Sequence, residues 1–151
     1  HDALPIWQFD SDQETLDHLA RMTKIHLRLK PYLQELSNEY QKIGIPPIRP
    51  LVLHYPTDPK THSMKYQYLL GKDLLIAPIL KKKRTQWQVY LPEGKWVHLW
   101  TKDQYLPGNH KIHAPWGFPP VFYLAESSYH ALFEKIYQDF GIDFEINEES
   151  L

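Results

Sequence analysis

Gln86-Trp87-Gln88-Val89-Tyr90-Leu91-Pro92-Glu93-Gly94-Lys95-Trp96-Val97-His98-Leu99-Trp100 is the stretch from which the fold is read. Trp87, Val89 and Leu91 alternate with Gln86, Gln88 and Tyr90, a period of two that sends successive side chains to opposite faces of a half-buried strand. Pro92-Glu93-Gly94-Lys95 has the residues of a tight turn and residues 96–100 return, so the spacing predicts a β-hairpin. On the returning strand Trp96 and Trp100 are expected on one face, with at least part of that row in a core.

Outward from the hairpin, short apolar runs recur between prolines and glycines. Leu74-Leu75-Ile76-Ala77 is apolar on both faces and stops at Pro78, and Val121-Phe122-Tyr123-Leu124 reads as a central strand after Pro119-Pro120. Residues 49–55 read as a short buried strand ended by Pro56 and Thr57-Asp58-Pro59, and 66–70 as a short helix before Gly71. Pro107-Gly108 marks a turn before Lys111-Ile112-His113. Strands this short at this spacing predict an antiparallel sandwich.

Helices flank the strands. Residues 10–43 carry an apolar stripe of Met22, Ile25, Leu29, Leu33, Leu36, Tyr40 and Ile43 behind a Ser11–Glu14 capping box. Pro31 removes one backbone donor, which predicts a kink or two abutting helices, and Gly44 supplies the left-handed residue that ends the second. No other element of equal size is expected to cover this stripe. A terminal helix, capped by Ser127 or Ser128, aligns Tyr129, Leu132, Phe133, Ile136, Tyr137 and Phe140 and ends at Gly141, before an acidic tail with Asp143, Glu145, Glu148 and Glu149.

Composition narrows the function. A net charge of −1 gives no long-range field to draw in nucleic acid or an acidic membrane surface, and no apolar run approaches the roughly 20 residues that span a bilayer. The lack of cysteine excludes disulfides and thiolate metal sites and fits a cytoplasmic protein. Nothing in the sequence defines an oligomeric state. The chain opens at His1 rather than Met, which points to a piece of a longer polypeptide.

No residue pattern announces a cofactor or a metal. Nine histidines include no His-x-x-x-His or Glu-x-x-His pair; His18 and His26 lie two turns apart, and His110 with His113 lacks a third ligand. Asp10 and Asp12 form a local carboxylate pair, but at a helix start they read as capping acids, and Asp58 has no nearby partner. Lys81-Lys82-Lys83-Arg84 reads as a solvated loop between strands, and Leu70-Gly71-Lys72-Asp73 is too short for a phosphate loop. Trp87, Trp96, Trp100 and Trp116 are candidates for stacking on sugar rings.

Several collinear phrases resemble the end of glycoside hydrolase family 31. They are Lys30-Pro31-Tyr32-Leu33, Arg49-Pro50-Leu51 after Gly44, Gln67-Tyr68-Leu69-Leu70-Gly71-Lys72-Asp73-Leu74-Leu75-Ile76-Ala77-Pro78, and Tyr90-Leu91-Pro92-Glu93-Gly94-Lys95-Trp96. Trp7-Gln8-Phe9-Asp10, Trp96-Val97-His98-Leu99-Trp100-Thr101 and Pro119-Pro120-Val121-Phe122-Tyr123 resemble its bacterial sulfoquinovosidase branch.

The resemblance implies an α+β fragment in three parts. Residues 1–62 would be the terminal helices and last strand of a catalytic (β/α)8 barrel, residues 63–126 a proximal antiparallel β-sandwich domain, and residues 127–151 the terminal helix and tail. It also implies a retaining α-glycosidase that uses one aspartate as nucleophile and another as acid and base, without cofactor or metal. Both aspartates, and the arginine and tryptophan that hold the sulfonate, would lie upstream, so no catalytic residue is assigned here. His1, with Asp2 beside it, is the one substrate-binding candidate, as a histidine that hydrogen-bonds sugar hydroxyls. The expected substrate is an α-sulfoquinovoside, with α-glucosides or α-xylosides of the same family as alternatives. The reading from a different class is a stand-alone carbohydrate-binding or interaction module.

Overall fold

The structure is a computed structural model that describes residues 12–81 and 84–142. Helix α1 (Gln13–Ile43) leads into strand β1 (Ile48–Arg49), followed by 3-10 turns at Leu51–Leu53 and Pro59–Ser63. Strands β2 (Tyr68–Leu70), β3 (Leu74–Ile76), β4 (Gln86–Leu91), β5 (Trp96–His98), β6 (Gln104–Tyr105), β7 (Gly108–His113) and β8 (Val121–Leu124) precede helix α2 (His130–Phe140). The chain is therefore α+β. A six-stranded antiparallel sheet runs in the order β1-β2-β3-β8-β5-β6, and β4 pairs with β7 as a separate two-stranded ribbon.

The expected hairpin does not form. After Leu91 the chain leaves the ribbon, and Trp96 and His98 instead register against Leu124 and Phe122 of β8. The reason lies in burial. Trp96, Val97 and His98 are all buried, which requires cover on both faces, whereas β4 keeps Gln86 and Gln88 in water. Trp96 and Trp100 accordingly part company, Trp96 joining the core under the ribbon and Trp100 the core under the helices.

Those two cores organise the fold. One face of the sheet carries Leu74, Val97, Val121 and Tyr123 against Ile25, Tyr32 and Leu36 of α1 and Phe133 and Ile136 of α2. The other carries Leu69, Leu75, Trp96 and Phe122 against Val89, Leu91 and Ile112 of the ribbon. The run read as apolar on both faces, at 74–77, and the run read as a central strand, at 121–124, pair with each other in the middle of the sheet. Gln67 locks the ribbon to β2: its amide donates to the carbonyl of Tyr90 (2.7 Å) and accepts from the Tyr90 N–H (2.8 Å). It thereby satisfies a backbone that β7 does not reach.

Other local expectations change. Residues 66–70 give a strand rather than a helix, because Tyr68, Leu69 and Leu70 pair with Ile76, Leu75 and Leu74 across the Gly71 turn. The strand expected over 49–55 is two residues long before the chain coils into the turn at Leu51–Leu53. Helix α1 is continuous through Pro31. Pro31 and Leu27 are both exposed, so the carbonyl that loses its partner is open to solvent. Its cap is Asp12, whose Oδ1 accepts from Thr15 N (2.6 Å), while Ser11 lies outside the described residues. Its buried stripe is Ile25, Tyr32 and Leu36, with Leu29 and Leu33 packed beside it. The stripe therefore has a partner within the chain, in α2 and the sheet, while Met22, Tyr40 and Ile43 remain exposed. The N-cap of α2 is Tyr129, without a side-chain cap, rather than Ser127 or Ser128, because Ser127 Oγ accepts from Tyr129 N one residue too early; the acidic tail from Asp143 onward falls outside the described residues.

Two left-handed glycines separate backbone strain from packing. Gly44, at φ 74°, ends α1 in open space, as its position in the sequence predicts. Gly71, at φ 66°, sits where a Cβ would collide with the Tyr32 ring and come 2.6 Å from Leu36 Cδ2. Gly44→Ala is expected to cost about 1 kcal/mol from backbone strain alone. Gly71→Ala adds the collision and costs about 3 kcal/mol or more. Equilibrium denaturation of both variants checks the order, and equal losses would contradict this account of α1 docking.

Candidate functional site

Charge inside the fold concentrates where α1 meets β1. Arg49 is 1% exposed although it stands in an edge strand. Its Nε donates to the Pro46 carbonyl (2.8 Å), its Nη1 lies 3.1 Å from His54 Nε2, and its Nη2 lies 3.1 Å from Glu39 Oε2. The contact with Glu39 is an ion pair by proximity, since Nη2 makes no well-aligned hydrogen bond. Arg49 is always a donor, so His54 Nε2 must accept, which makes the ring neutral with its proton on Nδ1. Burial, then the Arg49 charge, hold the His54 pKa below its ordinary value.

A second polar group lies across the helix–sheet core. Tyr32 Oη donates to the Leu70 carbonyl (2.6 Å) and accepts from Asp73 N (3.3 Å), while Ser127 Oγ donates to Asp73 Oδ2 (2.9 Å). Asp73 borders a groove with Glu93, Glu126, Lys72 and Lys95. His98 is buried against Phe122, and burial depresses its pKa to about 4. It is therefore neutral near pH 7 and too enclosed to exchange protons with a substrate. These residues tie elements together, and among the described residues no group of three His, Cys, Asp or Glu is placed to hold a metal.

The residues nominated by sequence disperse. His1, Asp10 and the Trp7-Gln8-Phe9-Asp10 phrase lie outside the described residues, as do Lys82 and Lys83. Asp12 caps α1, and the Thr15 amide N–H, followed by the Thr15 hydroxyl, lowers its pKa. His18 packs on Trp116 with ring centroids 4.7 Å apart, far along α1 from exposed His26. His110 and His113 are three apart on β7 and so face opposite sides of the ribbon. Asp58 accepts a hydrogen bond from the Tyr90 hydroxyl and caps the turn at Pro59–Ser63 through Lys60 N. Of the four tryptophans, Trp96 and Trp100 are core, Trp87 is half-buried and Trp116 is 64% exposed. Sequence reasoning passed over Arg49 and Gln67. Arg49 left one signal, a lone charge in an otherwise apolar run.

The residues between the end of α1 and the start of α2 match a family model. The model for the glycosyl hydrolase family 31 C-terminal domain covers residues 44–127, more than half the chain. The chain belongs to glycosyl hydrolase family 31. Sulfoquinovosidase of Escherichia coli is 50% identical over 130 residues, which are 86% of this chain and 19% of that protein. Sulfoquinovosidase of Agrobacterium fabrum is 47% identical over 131 residues, 85% of this chain and 20% of that protein. The fold superposes, with a TM-score of 0.89 and 38% identity, on a family 31 sulfoquinovosidase from E. rectale in complex with an aza-sugar inhibitor. That match covers 91% of this chain and 21% of the other. The chain thus spans about a fifth of the length of the relatives it matches. Among the described residues no helix is long and apolar enough to cross a membrane.

The Arg49 cluster makes a test in which the more exposed partner matters most. Glu39→Ala leaves a buried guanidinium without its counter-charge and is expected to cost about 3 kcal/mol. Replacing the pair together, Glu39→Gln with Arg49→Met, removes the charge as well and recovers most of that loss. Urea denaturation of the two proteins reads the difference; a double variant less stable than Glu39→Ala contradicts the assignment.

Proposed function

We propose that this chain forms the carboxyl-terminal part of a retaining α-glycosidase acting on α-sulfoquinovosides. The observation that carries the reading is the 50% identity to the E. coli sulfoquinovosidase along most of the chain. In this reading residues 1–62 complete a catalytic (β/α)8 barrel, residues 63–126 are the proximal β-sandwich domain, and the helix from 127 closes it. His1 would reach a sugar hydroxyl, and the nucleophilic and acid/base aspartates would stand on barrel strands that precede this chain. A cytoplasmic location belongs to the same proposal. Hydrolysis of α-glucosides is the second reading, favoured by 34% identity over 121 residues to an α-glucosidase of Bacillus thermoamyloliquefaciens.

The surface around β1 supports the barrel half of the proposal. β1 is an edge strand, and Tyr40, Ile43, Ile48 and Leu53 are exposed around it, Ile43 and Ile48 each by 63%. Large apolar side chains beside an unpaired strand edge are what a further layer of protein would cover. In this reading neither the nucleophilic nor the acid/base aspartate belongs to this chain, and Asp73, which shares a groove with Glu93 and Glu126, is tied to Ser127. The purified chain is therefore expected to release no product from an aryl α-sulfoquinovoside, whereas the complete translated reading frame that contains it hydrolyses that substrate with retention. Turnover by the chain alone, or an inert complete polypeptide, would overturn the proposal.

A further inference from the structure

With Trp96 and Trp100 in the core, Trp87 and Trp116 are the tryptophans open to a ligand among the described residues. Trp116 borders a broader groove with Met22, Ile79, Leu80 and Pro119, which Lys81 and Arg84 also line. Trp87 borders a smaller groove of about 360 Å³, between the segment entering β2 and strand β4. Its rim is formed by Ser63, Lys65, Tyr66, Arg84 and Gln88.

We propose that this groove binds an anionic sugar unit, a pyranoside carrying a sulfonate or carboxylate. Trp87 packs against the core beneath the ribbon, so its ring is already fixed before any ligand arrives. Tyr66 is 62% exposed and offers a second aromatic surface. The C–H face of a pyranose is apolar and stacks on such rings, while its hydroxyls need polar partners. Exposed Ser63 and Gln88 are available for these, because neither side chain is engaged among the described residues. Gln67, which also lines the groove, is committed to the Tyr90 backbone and forms a closed floor.

Charge selects the ligand class. Lys65 and Arg84 line the groove and no carboxylate does. Neither cation has an acidic partner among the described residues, and the Arg84 guanidinium lies 5.9 Å from the centroid of the Trp87 ring. A cation held beside the stacking ring is placed to meet the anionic substituent of a sugar that lies on it. The choice of a sugar over another flat anion rests on the glycosidase reading above.

The test is a titration of the isotope-labelled chain with methyl α-sulfoquinovoside, methyl α-glucoside and adenosine monophosphate, followed by the indole N–H signals. Saturable binding of the sulfonated sugar is expected to move Trp87 and leave Trp96 and Trp100 in place. Tyr66→Ala and Arg84→Ala are expected to weaken it by about threefold each. Both side chains are exposed, so the variants keep the fold, which the unchanged core indole signals verify. Equal binding of the neutral glucoside, preference for the nucleotide, a response at Trp116 instead, or no saturation each overturns the proposal. Turnover by the complete polypeptide is measured separately, so a failure here is distinguishable from a failure of the glycosidase reading.

Discussion

The middle strands of the sheet must be apolar on both faces, because helices cover one side and a ribbon the other. Strand β8 shows the constraint most clearly. Val121 and Tyr123 enter the helix-side core, while Phe122 enters the ribbon-side core and Leu124 packs against it. A fully buried side chain of this size contributes about 1.5–3 kcal/mol, so a strand that serves two cores at once does more for stability than its four residues suggest. The same demand removes Trp96, Val97 and His98 from the ribbon and seats them beside β8. It also leaves α1 to dock by a narrow contact, with Tyr32 lying against the backbone at Gly71.

The polar groups follow from that docking. Tyr32 reaches the backbone of the β2–β3 turn, Ser127 ties Asp73 to the approach of α2, and Arg49 holds the end of α1 to the edge strand. Each is a buried group with a fixed partner, which suits joints between elements. A retaining glycosidase needs two carboxyl groups about 5–5.5 Å apart across a sugar. Four of the described carboxylates are engaged otherwise: Asp58 with Tyr90, Glu39 with Arg49, Glu134 with Lys102 and Asp139 with Arg28. Membership of family 31 and this division of labour are compatible when the chain is a supporting part of a longer enzyme.

Much of this was legible in the residues. The two-faced run at 74–77, the central strand at 121–124, the alternation at 86–91, the Gly44 stop and the terminal helix all rest on local pattern, and all appear in the fold. The pairing of β4 was not legible, because a turn between two strands predicts a hairpin whenever the long-range competitor is unseen. Trp96 leaves the ribbon for β8, more than twenty residues away in sequence, and no local signal encodes that choice. The segment at 66–70 failed for a related reason, since five residues are too few to separate helical from extended periodicity. Among the site residues, burial of Trp96 and Trp100 was anticipated in part. Gln67 was hidden because its work is done on a backbone 23 residues further along.

The surface around β1 is where the account meets its most direct test. Hydroxyl-radical footprinting of Tyr40, Ile43, Ile48 and Leu53 would compare this chain alone with the complete polypeptide that contains it. The account predicts that all four are labelled in the isolated chain and protected in the complete protein, with Tyr66 and Trp116 as exposed references in the isolated chain. Equal labelling of the four in both would contradict the claim that this edge meets a catalytic domain.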